Sequence, residues 1–503
     1  MSEQPPTLLP VAPAVSPLAE LLSIAGPSVA TMASYTLMTF TDKWLVSRLG
    51  PELVGAQGNG GLAAWVPQSM MYGTLQIINT YVAQNMGAGR RERGAAYVWN
   101  GIWLSIIFWL LLQPYTLLLP GIFALAKVDA QQAELATQYG RVLIYGCVLN
   151  MATRALSQFF FGTHQARVVM IAGIVANVIN LFVAAVLVFG NGPIPEDLGR
   201  FGRVVGAIGR WADIAPMGIV GSAWGTVIAT FVELAIPLAV FLSPRINAQF
   251  GTRRAWRWSW PHIRDIVRLG WPGGAMFANE MVCWGFFMVY LVSHFGKAHS
   301  SAGWIAHQYM SLSFMPAVGI SVATTALVGK YIGMGRHDLA EHRFWLSLKF
   351  AAGYMGLCGI IFVVFRGPLI GLFIENDTAP GIASEIVRLG SMMLIATAAF
   401  QLFDAGAMVT SGALRGAGDT FFPGLATVVA SWGIIVGGGL LMIDQFPKLE
   451  SIGPWIAAAA YIFSLCVLLL GRFLTGRWRA IRLLEHSPGA EPTQAAGSTT
   501  DGI

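Results

Sequence analysis

The sequence predicts an all-α, polytopic membrane protein with about twelve transmembrane helices in two pseudo-symmetric six-helix lobes. Three observations support this fold class. The 503 residues are 55% hydrophobic and only 11% charged, whereas soluble proteins carry roughly 25% charged residues. The apolar residues come in blocks close to the 20 or so residues that a helix needs to cross a bilayer. Two short segments also recur at one constant spacing along the chain.

The apolar blocks do not alternate with a period of two, so they indicate helices rather than the strands of a barrel. About twelve of them meet the length criterion. They cover residues 18–49, 59–86, 95–125, 133–161, 168–190, 217–243, 263–295, 302–332, 341–373, 385–413, 420–443 and 452–481.

Basic residues concentrate in alternate loops, for example at Arg90, Arg91 and Arg93 and again between Arg253 and Arg268. The bias is about two to one, which predicts that both termini lie in the cytoplasm of a protein of the cell (inner) membrane. The net charge of +6 is therefore attributed to topology, and no nucleic acid is expected as a partner. Residues 1–17 lack the basic start of a signal peptide, so the first span is expected to be retained.

The repeated segments suggest how the chain is divided. Leu45–Gly50 (LVSRLG) resembles Leu291–Gly296 (LVSHFG), and Gly87–Arg90 (GAGR) resembles Gly333–Arg336 (GMGR). Six spans per repeat put both copies in the same orientation, so the pseudo-twofold axis is expected along the membrane normal. The predicted regions are an N-terminal cytoplasmic tail (1–17), an N-lobe (18–243), a cytoplasmic linker (244–261), a C-lobe (262–483) and a disordered C-terminal tail (484–503).

Three of the acids inside predicted spans are interpreted as functional, because a charge in the membrane is costly and usually has a function. Asp42 lies in the first span, with Met38 and Tyr35 one and two turns back on its face. Asn177 and Asn180 in the fifth span are interpreted either as facing the same cavity or as interhelical hydrogen-bonding groups.

Glu280 lies in the seventh span, and its helix face carries Phe277, Trp284 and Phe287. A carboxylate surrounded by aromatic rings suits a bulky organic cation, because charge neutralisation is combined with cation–π contact. The alternative is ordinary aromatic packing around a neutral acid.

Asp404 lies in the tenth span, beside Phe400, Gln401 and Met408. Met and Phe around a buried acid provide an adaptable surface for varied ligands. The other charged residues inside spans, Glu233, Arg141 and Arg154, are interpreted as structural pairs.

The chain resembles the multidrug and toxic compound extrusion (MATE) family, in its NorM-like branch. The resemblance rests on Pro27 through Asp42 to Gly50, on Pro272 through Glu280 to Gly296, and on Asp404 followed by the string Gly412–Thr420 (GALRGAGDT). It implies two six-helix lobes around a central cavity, and antiport of organic cations against Na⁺ or H⁺.

By position, the resemblance makes Asp42 the acid of an N-lobe site, and Glu280 with Asp404 a C-lobe cation site and candidate for Na⁺. Two departures from the family leave the coupling ion open. Some members have an acid where this chain has Ala184, and some have Tyr where it has Phe400.

The predicted function is therefore secondary active multidrug efflux, with Asp42, Glu280 and Asp404 as ion-coupling residues. Substrate contacts are expected from residues near these acids: Tyr35, Met38, Asn177, Asn180, Phe277, Trp284, Phe287, Phe400, Gln401 and Met408. We expect a monomer in contact with lipid, with no cofactor besides the coupling ion. The alternatives are a lipid-linked oligosaccharide flippase of related architecture, and a membrane-embedded transferase. The absence of familiar hydrolase and zinc motifs predicts that the protein is not an enzyme.

Overall fold

The computed structural model describes residues 16–374 and 380–485, and within those ranges it contains helices and no β-strand. The predicted tails, residues 1–17 and 484–503, lie almost entirely outside the described residues. The α-helices are α1 (Pro17–Ser47), α2 (Pro51–Leu75), α3 (Ile77–Gly87), α4 (Arg91–Leu112), α5 (Leu119–Leu125), α6 (Ala130–Gly162), α7 (Arg167–Phe189), α8 (Gly199–Trp211), α9 (Gly218–Phe241), α10 (Pro244–Phe250), α11 (Trp260–Phe286), α12 (Lys297–Gly333), α13 (His337–Val364), α14 (Arg366–Gly371), α15 (Pro380–Ala417), α16 (Phe421–Ala430), α17 (Gly438–Gln445) and α18 (Ile452–Leu474). A π-helical segment, Phe287–Val292, extends α11, and another, Ser431–Gly437, joins α16 to α17.

Within the described residues, ten helical stretches are long and apolar enough to cross a membrane. The remaining two predicted spans correspond to α2 with α3 and to α6, which are long helices made less apolar by side chains such as Gln76, Gln84 and Arg154. The all-α class and the number of long helices thus agree with the prediction.

Local sequence signals account for several helix starts. The Ser16 hydroxyl accepts a hydrogen bond from the Ala19 amide at 3.3 Å, and Pro17 occupies the first turn, where its missing N–H costs nothing. The Asp129 carboxylate likewise accepts from the Gln131 amide at 3.0 Å and caps α6.

Residues 191–216, for which the sequence suggests no structure, contain the amphipathic helix α8. Its apolar face packs on the end of α7, where Leu198 and Val205 join Val188 and Phe189 in a small separate core. The charged residues of α8 lie on its exposed face, so this segment covers one end of the first half of the molecule.

The two halves of the chain meet through contacts that repeat about a pseudo-twofold axis. A Cβ atom on Gly73 would lie 2.9 Å from Cα of Gly274, and one on Gly319 would lie 3.0 Å from the carbonyl carbon of Ser28. Adding 246, the sequence repeat, converts Gly73 into Gly319 and Ser28 into Gly274. The repeat predicted from short motifs therefore appears as two equivalent helix contacts, α2 with α11 and α12 with α1.

Polar contacts between the halves lie at one end of the molecule. The Glu20 carboxylate accepts hydrogen bonds from Lys330 Nζ at 2.7 Å, from Arg343 Nε at 2.8 Å and from the Tyr331 hydroxyl at 2.8 Å. We call these four residues the Glu20 cluster. Gln84 Nε2 also donates to the Gly416 carbonyl at 2.9 Å. The side-chain hydrogen bonds from α3 to α12 and α15 lie toward this end, which carries the basic loops.

Candidate functional site

The carboxylate of Asp42 is buried between α1, α7 and α9. Its Oδ1 accepts a hydrogen bond from Asn180 Nδ2 at 2.7 Å, and its Oδ2 accepts from the Thr226 hydroxyl at 2.9 Å. Asp42 is only 5% exposed, and neighbouring Lys43 points outward. Two neutral donors thus hold the acid, and no cation neutralises it.

The two asparagines predicted near Asp42 have different partners. Asn180 contacts Asp42 directly, whereas Asn177 donates to the backbone carbonyl and the hydroxyl of Ser34. Asn177 is therefore placed as an interhelical hydrogen-bonding group between α7 and α1. One turn beyond Asn180, Ala184 is fully buried, and a Cβ on Gly225 would lie 2.6 Å from it. Ala184 thus packs closely against Gly225 of α9, and α7 supplies no acid beside Asp42 at this position.

In the second half, Glu280 and Asp404 face the same helix, α18. The Tyr461 hydroxyl donates to Glu280 Oε1 at 2.9 Å, and Tyr461 interacts electrostatically with both acids. Asp404 also interacts electrostatically with Glu280, and it has no hydrogen bond to another residue in the described part of the chain. Both acids lie in the middle of long helices, and their side chains are partly exposed.

Sequence reasoning missed Thr226 and Tyr461, the hydroxyl donors to Asp42 and Glu280. Thr and Tyr are ordinary residues in apolar helices, so composition gave no signal. Thr226 lies 184 residues after Asp42 in the chain, and only the packing of α9 against α1 brings the two together.

The predicted substrate-contact residues fall into two groups. Phe287, Phe400 and Gln401 are at most 1% exposed; Phe287 packs edge-on against Trp455, and Gln401 donates to the Ser313 hydroxyl at 2.9 Å. Their interior packing leaves no side-chain surface for a ligand. Asn180 is likewise buried, against Asp42. Those that retain partial exposure are Tyr35, Met38, Asn177, Phe277, Trp284 and Met408.

The interpretation of Glu233, Arg141 and Arg154 as structural pairs is wrong. Arg141 Nε donates to the Thr116 carbonyl at 3.3 Å. The Arg154 guanidinium lies over the Tyr72 ring, 4.0 Å from its centroid. Glu233 forms no ion pair with any described residue and instead interacts with the Tyr35 hydroxyl. The opposite charges of Glu233 and Arg154 inside predicted spans suggested an ion pair. In the structure Arg154 contacts the Tyr72 ring instead of Glu233.

Among the described residues, Asp42, Glu233, Glu280 and Asp404 form no ion pair with a cationic side chain. The ion pairs involve other acids, nearer the helix ends, among them Glu20, Asp197, Asp338, Glu341, Asp419 and Glu450. No group of three metal-binding side chains occurs among the described residues either. Unpaired carboxylates at this depth are suited to binding a small cation or the charged part of a larger one.

Comparison with known proteins agrees with this arrangement. The chain is 27% identical over 468 residues to a probable multidrug resistance protein NorM of Thermotoga maritima, covering 91% of this chain and 92% of that protein. It is 28% identical over 463 residues to a protein with the same name in Burkholderia pseudomallei, covering 90% and 92%.

Solved structures share the fold. A MOP superfamily transporter from Pyrococcus furiosus superposes with a TM-score of 0.79 at 19% identity, covering 92% of this chain and 97% of that one. The eukaryotic MATE transporter AtDTX14 gives 0.78 at 18% identity with the same coverage. A MATE structure in a straight conformation gives 0.77 at 20% identity, again covering 92% and 97%.

The family model named MatE matches residues 27–186 and 275–438. These two segments correspond to the two halves that meet about the pseudo-twofold axis. Together they contain Asp42, Asn180, Glu280 and Asp404, so the motifs behind the predicted resemblance lie inside the matched regions except for the start of the second motif, at Pro272. The chain therefore belongs to the MatE family of multi-pass membrane transporters, which confirms the predicted family and the prediction that it is a transporter and not an enzyme.

Proposed function

We propose that the protein exports organic cations, including drugs, in exchange for H⁺ or Na⁺ by alternating access. The observation that carries this proposal is that Asp42, Glu280 and Asp404 lie within the helices with no Lys or Arg partner. The names of the NorM relatives support multidrug substrates. A bacterial inner membrane fits the same relatives.

In this mechanism the coupling ion and the drug compete for the same negative charge. H⁺ or Na⁺ taken up at Glu280 and Asp404, at Asp42, or at both neutralises a carboxylate and releases the drug cation. Loss of the ion on the other side restores the charge for a new drug. Each ligand weakens binding of the other by the same factor, as linkage requires.

The position of the contacts between the two halves indicates which side of the membrane is closed in the described conformation. The Glu20 cluster closes the end that carries the basic loops, which the positive-inside rule assigns to the cytoplasm. The described conformation is then closed toward the cytoplasm. The change to a conformation open toward the cytoplasm requires Glu20 to separate from Lys330, Tyr331 and Arg343.

A lipid-linked oligosaccharide flippase would have to bind a pyrophosphate. Three unpaired acids at the helix interior repel such an anion, so this alternative is disfavoured on electrostatic grounds.

The Asp404→Asn variant tests the proposal. Asn preserves the shape of the side chain and removes its charge, so ethidium efflux from cells or vesicles should be abolished while folded protein remains in the membrane. The matched control is Asp197→Asn, which neutralises an exposed acid paired with Arg48 and should export ethidium normally. Export that persists in Asp404→Asn would contradict the scheme.

The coupling ion is identified by imposing one gradient at a time on proteoliposomes. A pH gradient and then a Na⁺ gradient are applied to wild-type protein, and the gradient that drives dye export names the ion. If neither gradient drives export, the antiport proposal fails.

A further inference from the structure

Glu233 is a second buried acid of the first half, and it lies about two helical turns from Asp42. On α1, Tyr35 lies seven residues before Asp42, and on α9, Glu233 lies seven residues after Thr226. Asp42 contacts Thr226, and Tyr35 contacts Glu233, so the same faces of two antiparallel helices build both levels. Seven residues correspond to two helical turns, or about 10 Å along the axis.

The Glu233 side chain is buried, and one of its two carboxylate oxygens has no hydrogen-bond partner. It is 4% exposed, and its Oε1 has no hydrogen-bond partner. Tyr35 on α1 hydrogen-bonds to it and Tyr72 on α2 interacts with it electrostatically, and Arg154 on α6 interacts with both of these tyrosines. In α7, which also packs against α9, residues 168–189 carry no titratable side chain.

Arg154 is the nearby cation, and it is not paired with Glu233. It is 3% exposed, its Nε has no partner, and its guanidinium stacks on the Tyr72 ring. A buried carboxylate that lacks an ion pair is strongly disfavoured in its charged form. The observed arrangement therefore fits a neutral, protonated Glu233 and a cation that rests on an aromatic ring.

The same cluster reaches the contact between the two halves. The Tyr72 ring lies 5.6 Å from the ring of Phe277 on α11. Arg154 interacts electrostatically with Arg415 of α15, and Arg415 Nη1 donates to Gln76 Oε1 at 2.5 Å. A displacement of Arg154 would thus be felt where the first half contacts the second.

We propose that Glu233 is a second proton-binding carboxylate of the first half, and that Arg154 moves between the Tyr72 ring and Glu233 as the proton leaves and returns. When the proton leaves Glu233 for water, Arg154 pairs with the new carboxylate and withdraws from Tyr72. When the proton returns, Arg154 stacks on Tyr72 again and supports its contact with Phe277. The ligand is a proton and not a metal cation, because one acid beside an arginine offers too little negative charge for Na⁺. Only the role of this site in transport rests on the proposed antiport.

The test is infrared difference spectroscopy of the purified protein in lipid during a stepwise rise in pH. Wild-type protein should lose carboxylic-acid C=O absorption in several components. Glu233→Gln should lack one component, and Asp42→Asn should lack a different one. A Glu233→Gln titration identical to that of wild type would overturn the proposal.

Two further variants guard against misfolding and test the arginine. Glu233→Asp retains the acid, so it should retain a component at this site even if Glu233→Gln does not fold. Arg154→Gln should shift the Glu233 component toward alkaline pH, because a neighbouring positive charge is gone, and Arg154→Lys should restore much of the wild-type position. If the Glu233 component titrates at the same pH in Arg154→Gln as in wild type, Arg154 does not move between Tyr72 and Glu233. These measurements need no drug, so their failure leaves the efflux proposal standing, and failed efflux does not affect them.

Discussion

The acids of the two halves differ in how closely they are held. Asp42 has two hydrogen-bond donors, Glu280 has one in Tyr461, and Asp404 has none among the described residues. Each donor to a charged group is worth about 1.5–3 kcal/mol. Asp404 is therefore the acid whose charge is least stabilised by fixed protein groups and most available to a mobile cation.

Removing the Tyr461 hydroxyl should weaken drug binding. Tyr461→Phe keeps the ring but removes the hydroxyl that donates a hydrogen bond to Glu280. The charged form of Glu280, which binds the organic cation in the proposed mechanism, is then less stable. The loss of about 1.5 kcal/mol raises the dissociation constant roughly tenfold, as measured by fluorescence titration with a cationic dye. Tyr290→Phe alters an exposed tyrosine and should bind dye normally. Unchanged binding in Tyr461→Phe would show that the hydroxyl has no part in the site.

His164, in the loop between α6 and α7, should make the fold sensitive to acid. Burial, with a smaller effect from Lys330, lowers the pKa of His164 to about 3, from about 6.5 in an unfolded chain. Between these values the unfolded chain binds a proton that the folded chain does not. The stability present above pH 6.5 is thus lost as the pH falls, by at most about 1.4 kcal/mol per pH unit.

Thermal unfolding at pH 7 and pH 5 checks this expectation. His164→Gln should show a smaller drop in melting temperature than wild type between the two values. The exposed residue His294 provides the control, and His294→Gln should follow wild type. A His164→Gln profile parallel to wild type would refute the assignment.

At the scale of helices, the π-helical segment Ser431–Gly437 is fastened to α11 beside Glu280. Asn279 Nδ2 donates to the Ser431 hydroxyl at 2.8 Å, and Trp432 Nε1 donates to Asn279 Oδ1 at 2.7 Å. Short π-helical segments often occur at functional sites. Asn279 thus ties the irregular part of one helix to the residue adjoining an ion-coupling acid.

Asn279→Ala should loosen this connection. Two hydrogen bonds worth about 1 kcal/mol each are lost, so the melting temperature falls and the Glu280 site becomes less fixed. Ser431→Ala removes only one of the two bonds and should have about half the effect. Equal melting temperatures for the three proteins would rule out a stabilising role.

At the scale of the whole molecule, the Glu20 cluster links α1 to α12 and α13 across the closed end. Glu20 and Lys330 are only partly buried, so solvent screening makes their loss cost less than the roughly 3–5 kcal/mol that breaking a fully buried ion pair costs. A free energy of a few kcal/mol is enough to change which of two conformations is more populated. The Glu20 cluster therefore contributes to keeping this end of the protein closed.

Glu20→Gln should shift the protein toward the state open at that end. Spin labels at positions 90 and 336, which are exposed and related by the repeat, should report longer distances in a background without the four native cysteines. Glu341→Gln breaks an ion pair with Arg479 at the same end but within the second half, and it should leave the distances unchanged. Wild-type distances in Glu20→Gln would mean that the close helix contacts alone hold this end shut.

The sequence predicted those features that do not depend on how helices turn toward one another. An acid in an apolar block is visible without a structure, and so is a repeat, which is why Asp42, Glu280 and Asp404 were identified. The partners Thr226 and Tyr461 depend on the rotation of α9 and α18, which composition does not encode. The separation of Glu233 from Arg154 escaped prediction for the same reason, since it requires knowing that Tyr72 lies under the arginine.

The glycine contacts at the closed end have one more consequence. A side chain on Gly87 would collide with the backbone oxygen of Lys330, and one on Gly333 would collide with that of Gln84. Gln84 and Lys330 are themselves counterparts in the repeat, so each half offers a main-chain ridge and a notch to the other. The contact is therefore reciprocal, and it depends on the absence of a side chain at both glycines, so a substitution at either one would push the two halves apart at the closed end.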